Sequence, residues 1–109
     1  MDFVRTRSYE KGLKRLRKLG ASQDDLDRIE TQLALDLKAG AVIQNSGGLR
    51  KVRFAYGGSG KSGGGRTIYY FLSQDDVIYL LTAYPKVDKD DLTKEELKLF
   101  KSLIKELTQ

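Results

Sequence analysis

An α+β fold, with a helical hairpin and a C-terminal helix packed on a mainly antiparallel sheet, is predicted for this chain by three observations. Two helix-period segments follow each other between residues 8 and 40, separated only by Gly20-Ala21-Ser22. The periodicity then becomes alternating from Leu49 to Tyr56 and stays strand-like through Arg66–Leu72 and Val77–Tyr84, both apolar and rich in β-branched or aromatic residues. A last helix-period segment follows Thr93. The resulting order is β-α-α-β-β-β-α, helices on a sheet around one core. The length of 109 residues suits one such domain, residues 1–109, and not two.

Each element has its local signal. Phe3–Thr6 predicts a short first strand. Ser8 is a candidate N-cap for a helix reaching Leu19, with Tyr9, Leu13 and Leu16 on one face and Gly20 ending it. Ser22 caps the second helix, with Asp24 and Asp25 in a first turn where the helix dipole favours them. Leu26, Ile29, Leu33 and Leu37 form its buried face, and Gly40 is expected to stop it. Val42–Gly48 reads as a loop. In Leu49–Tyr56, Val52, Phe54 and Tyr56 point one way, and Lys51, Arg53 and Ala55 the other. Ser73–Asp76 is a tight turn, Pro85 ends the last strand, and Thr93 caps a helix whose buried positions are Leu97, Phe100, Ile104 and Leu107.

Composition excludes several function classes. Hydrophobic content of 39% and charged content of 32% are those of an ordinary soluble protein. No apolar run approaches the ~20 residues a membrane span needs, and Met1–Tyr9 lacks the apolar stretch of a secretory signal. With no cysteine, disulfides, thiolate metal sites and cysteine nucleophiles are absent, and a cytoplasmic location is expected. With no histidine, the usual metal ligand and the usual proton-transfer group near neutral pH are missing too. No cofactor or metal is therefore expected, and any acid–base chemistry falls to Lys, Arg, Tyr, Asp or Glu.

The net charge of +5 is unevenly spread. No acid lies between Asp36 and Asp75, an interval that holds Lys38, Arg50, Lys51, Arg53, Lys61 and Arg66. The first helix adds Lys11, Lys14, Arg15 and Lys18, which helical spacing places in one stripe. Either these are solvated surfaces, or they meet the phosphates of a polyanion.

Ala55–Ser62, A-Y-G-G-S-G-K-S, approximates a phosphate-binding loop. A P-loop needs a helix beginning at its Lys-Ser. Here Lys61-Ser62 runs into Gly63-Gly64-Gly65 and then a strand, and each glycine costs a helix about 1 kcal/mol. Nucleotide hydrolysis is the weakest reading. The segment reads better as a hairpin loop, a plain connector or a clamp that offers Lys61 to a phosphate backbone.

Lys51 and Arg53 share one sheet face, Arg66 opens the adjacent strand, and Tyr84 and Lys86 close the last one. Cleavage of RNA by its own 2′-hydroxyl needs a base, charge stabilisation at phosphorus and an acid for the leaving oxygen. Arginine holds developing charge in a bidentate way, and a lysine crowded by cations becomes a base more readily. Such a cluster also suits RNA binding without catalysis.

Three segments carry a family resemblance: Gly40–Arg53 (GAVIQNSGGLRKVR), Gly64–Leu72 (GGRTIYYFL) and Tyr79–Lys86 (YLLTAYPK), followed by Asp90-Asp91-Leu92-Thr93 before the closing helix. Together they resemble the RelE/HigB superfamily of toxin–antitoxin toxins, and its HigB-like branch in particular, over about Tyr9 to Leu107. The resemblance implies a RelE-like small domain and a ribosome-dependent mRNA endoribonuclease that inhibits translation. It also implies a cognate antitoxin as partner, mRNA on the ribosome as substrate and contacts to rRNA. By position, Lys51, Arg53, Arg66 and Lys86 match the family's cationic catalytic positions, while Arg50 and Lys61 join the first-helix stripe as RNA-binding candidates. The final helix lacks the Tyr or His that several relatives carry near the C-terminus, so the base is either Tyr84 or Lys51. The alternative is a non-catalytic RNA- or ribosome-binding module, or a degenerate toxin, on the same basic sheet.

Overall fold

In a computed structural model, which describes residues 1–58 and 64–109, three helices flank a five-stranded sheet. The elements are β1 (Asp2–Arg5), α1 (Arg7–Lys18), α2 (Gln23–Leu35), β2 (Ala41–Val42), β3 (Arg50–Phe54), β4 (Gly65–Leu72), β5 (Val77–Pro85) and α3 (Lys94–Leu107). The strand order is β1-β5-β4-β3-β2; β1 runs parallel to β5 and the other neighbours are antiparallel. Among the described residues, no helix is long and apolar enough to cross a membrane.

The helix caps follow side-chain chemistry. Ser22 and Asp25 form a reciprocal capping box at α2, and Thr93 and Glu96 form another at α3. At α1 the cap is Thr6 rather than Ser8. The Thr6 hydroxyl accepts from Tyr9 N–H at 3.2 Å, and the same hydroxyl lies 2.8 Å from the Leu81 carbonyl. Ser8 sits within the first turn and bonds Thr82 at 3.0 Å. One threonine thus starts the helix and fixes its base to β5.

Two glycines have steric work. A Cβ on Gly12 would lie 1.9 Å from the Ala83 carbonyl oxygen, so only glycine lets α1 lie directly on β5. Gly40 does not stop α2, which ends at Leu35 with extended Asp36 as its C-cap. A Cβ there would lie 2.7 Å from the Lys51 carbonyl oxygen. Its lack of a side chain lets the chain enter β2, which pairs with β3 where the sequence predicts only loop.

Apolar side chains gather on both sheet faces. The α1–α2 hairpin covers Val52, Phe54, Tyr69, Ile78, Leu80 and Ala83. On the opposite face, Phe100 and Ile104 of α3 pack with Leu49, Ile68, Tyr79, Leu81 and Tyr84. Leu97 packs at the margin of this cluster, and Leu107, expected inside, is 42% exposed. Leu81 and Tyr84 share a face although three residues apart. A β-bulge explains this: Ile68 pairs with Thr82 and Tyr69 with Leu80, leaving Leu81 as the extra residue.

Candidate active site

The register places three of the expected residues in one row across the sheet. Arg53 on β3 lies directly opposite Arg66 on β4, and Arg66 lies directly opposite Tyr84 on β5. Lys51 is two residues from Arg53 on the same face. Directly opposed residues have Cβ atoms about 4.5–5.5 Å apart, and like charges so placed destabilise a sheet. A sheet built for stability alone would not oppose two guanidinium groups. The arrangement suits an anion held between them.

In this structure carboxylates meet the cations. The segment between β5 and α3, residues 86–93, folds back over the row. Arg66 is 1% exposed, and its Nε donates to Asp90 Oδ1 at 3.0 Å. Lys51 forms an ion pair with Asp91 and also donates to the Asp90 carbonyl at 3.4 Å. The Tyr84 hydroxyl donates to that same carbonyl at 3.2 Å. Burial pushes the Asp90 carboxyl up, but Arg66, Lys51 and Lys86 outweigh it and leave it below the usual carboxylate range. Lys86, exposed, thus belongs to the same electrostatic cluster, while its backbone N–H donates to Gly64 O at 2.9 Å and extends the hairpin.

The segment is tied down on both sides. Arg15 on α1 grips Asp88 with two hydrogen bonds, 2.9 and 3.1 Å. Lys89 pairs with Glu96 of α3 and lies 4.9 Å above the Tyr84 ring. In the sequence the strap shows only as acids, Asp88, Asp90 and Asp91, that lie outside the acid-free interval from Asp36 to Asp75. In space it lies on the basic cluster, because β5 ends beside β4.

The other expected residues are spread out. Tyr84 is 5% exposed, and burial above all raises its phenol well past the ordinary value, so a phenolate base is disfavoured at this position. Arg50 shares strand parity with Val52 and faces away from Lys51; its guanidinium donates to the Gly40 carbonyl at 2.7 Å. Lys11, Lys14 and Lys18 are exposed on α1, whereas Arg15 is held by Asp88. Lys61 lies outside the described residues. Lys51, expected to be crowded by cations, has a carboxylate as its nearest charged partner. Among the described residues, no group of three or more acidic side chains is placed to hold a metal ion.

A second set of cations went unremarked in the sequence. Lys94, Lys98, Lys101 and Lys105 are exposed along one side of α3, where they line a groove of about 350 Å³ with Leu97 and Ser102. The signal was present in their spacing, the same repeat that marks the α1 stripe.

Comparison with known proteins agrees with this architecture. Two solved structures of the E. coli RelE toxin share the fold. A double mutant in the free state aligns with TM-score 0.54 and 16% identity over 81% of this chain and 85% of that one. The isolated toxin aligns with TM-score 0.53 and 15% identity over 94% and 97%. The family model for the RelE toxin of the RelE/RelB toxin–antitoxin system matches residues 13–109. By that match over most of its length, the chain belongs to the RelE family, the toxins of toxin–antitoxin systems.

Proposed function

We propose that the Lys51–Arg53–Arg66 face cleaves mRNA on translating ribosomes, and that a cognate antitoxin neutralises it. The observation that carries this reading is the direct opposition of Arg53 and Arg66, with Lys51 beside them. The reaction forms a bond from O2′ to phosphorus and breaks the bond from phosphorus to O5′. Arg53 and Arg66 hold the charge that grows on the non-bridging oxygens. With Asp91 displaced by the substrate and Arg53 and Arg66 close by, Lys51 in its neutral form takes the 2′-hydroxyl proton and becomes an ammonium, and the exposed Lys86 ammonium gives a proton to the departing O5′. Tyr84 keeps its proton and acts as a hydrogen-bond donor within the site. The products are a 2′,3′-cyclic phosphate, opening to a 3′-phosphate, and a 5′-hydroxyl.

In this reading Asp90 and Asp91 stand where phosphate oxygens bind in the complex, and the substrate displaces them. The motif segments around Arg53, Arg66 and Lys86 support a place near the HigB-like branch, and the basic α1 surface supports contact with rRNA.

Induced expression with and without an antitoxin from a neighbouring gene tests the proposal. The expected result is growth arrest with shortened transcripts bearing 2′,3′-cyclic or 3′-phosphate ends, relieved by the antitoxin. Normal growth with intact transcripts at high protein levels would replace it with a non-catalytic RNA- or ribosome-binding role.

A further inference from the structure

We propose that the lysine side of α3 is a second RNA-binding site, a track for the strand that runs on from the scissile phosphate. This rests on the reading of the Lys51–Arg53–Arg66 face as an RNA site.

Three observations lead to it. First, Lys94, Lys98, Lys101 and Lys105 fall within an arc of about 60° at 100° per residue, and all four are exposed. Glu95 and Glu106, which form no ion pair among the described residues, lie about 60° and 80° beyond the edge of that arc. Second, none of the four lysines forms an ion pair among the described residues. On α1, by contrast, Arg15 is held by Asp88. Four like charges without counter-ions along about 17 Å of helix repel one another, and a chain of phosphates relieves that repulsion. Third, the groove continues the candidate active site. Leu97 lines the α3 groove and also lines a second groove, of about 300 Å³, that contains Lys51 and Asp91. A strand leaving Lys51 therefore passes Leu97 and arrives at the lysines.

A single strand of RNA fits these features better than an acidic protein segment does. Among the described residues, Leu97 is the sole apolar residue lining the α3 groove, whereas a docked protein helix or strand needs a row of apolar anchors. Regularly spaced lysines act as point charges and suit a backbone read without regard to sequence.

The test compares labelled single-stranded RNA of about four and about twelve nucleotides, binding to the whole protein and to the variant Lys98→Gln, Lys101→Gln. Both positions are exposed, so the variant's thermal melting matches that of the unaltered protein. The unaltered protein is expected to bind the longer RNA about tenfold or more tightly than the shorter. The variant should lose most of that gain while keeping its affinity for the shorter RNA, and its log affinity against log salt should flatten by about 0.7 per lysine removed. A length-dependent gain that survives in the variant overturns the track. If that gain survives while capture of the protein by a polyglutamate peptide is lost, the stripe serves an acidic protein instead. If the unaltered protein binds neither RNA, the track falls, while the reading of the strand face is decided separately by cleavage of mRNA on programmed ribosomes. Failure of the track alone leaves each length of RNA bound as tightly by the variant as by the unaltered protein.

Discussion

The sheet face under the α1–α2 hairpin and the face under α3 are built from the same three long strands, yet they bury different things. Under the hairpin the contacts are mainly apolar: Leu26, Ile29 and Leu33 of α2 and Leu13 and Leu16 of α1 close over Val52, Phe54 and Tyr69. Under α3 the apolar cluster occupies one part of the face, while the rest carries Lys51, Arg53 and a fully buried Arg66. Opposed guanidinium groups cost stability, and a buried charge is tolerated only when paired. Stability is generated on the hairpin face and given up on the α3 face. The hairpin face holds the strands rigid, and the α3 face uses that rigidity to keep like charges in register. Catalytic groups need such support, because a loosely held charge stabilises a transition state poorly.

The largest effect on stability is expected from the hairpin face. Leu33 is fully buried beneath the hairpin, and Leu33→Ala is expected to lose about 2–5 kcal/mol of unfolding free energy in urea. Where the variant is still folded, its RNA affinity should match that of the unaltered protein. An equal loss of affinity in the folded variant would show that the two faces are not separable in this way.

A smaller effect is expected on the α3 face. Asp90→Asn removes the strap's charge from Arg66 but keeps an oxygen acceptor. RNA affinity should rise, by about fivefold at most, because the Asp90 carboxylate is about half exposed and screened by solvent. The sign of the pH effect follows from the lowered carboxyl pKa of Asp90. Its contribution to stability is complete above the unfolded-state pKa of about 4 and is lost as pH falls through the lower folded-state value. Acid titration of thermal melting should therefore show a steeper fall below about pH 4 in the unaltered protein than in Asp90→Asn. Parallel curves, with unchanged RNA affinity, would mean that the strap does not compete with the substrate.

Much of the fold was open to sequence reading because the hydrophobic period sets it. The alternation of Val52, Phe54 and Tyr56 with Lys51, Arg53 and Ala55 assigned the β3 faces correctly. The caps at Ser22 and Thr93 carried their own polar signatures. What escaped depends on contacts between distant residues. β2 is two residues long, too short to show a period. The cap at Thr6 is set by its bonds to β5, which no local pattern records. The bulge at Leu81 shifts the parity of β5, so a strict two-residue period separates Leu81 from Tyr84 when they share a face. At the site, strand positions brought Arg53, Arg66 and Tyr84 together as expected. The ion pairs of Arg66 with Asp90 and Lys51 with Asp91 span 24 and 40 residues, so the acids seemed remote from the basic interval.

The most direct test of the opposed arginines uses Arg53, which is exposed and can be removed without opening the core. Single-turnover cleavage of mRNA on programmed ribosomes, at saturating protein, separates the chemical step from binding. Arg53→Ala is expected to melt no lower than the unaltered protein, since it relieves the repulsion from Arg66, and still to bind the ribosome, while the cleavage rate falls about 100-fold or more, as removal of a preorganised charge stabiliser does. A folded Arg53→Ala that cleaves at the rate of the unaltered protein would contradict the claim that the opposed arginines of β3 and β4 form the catalytic centre.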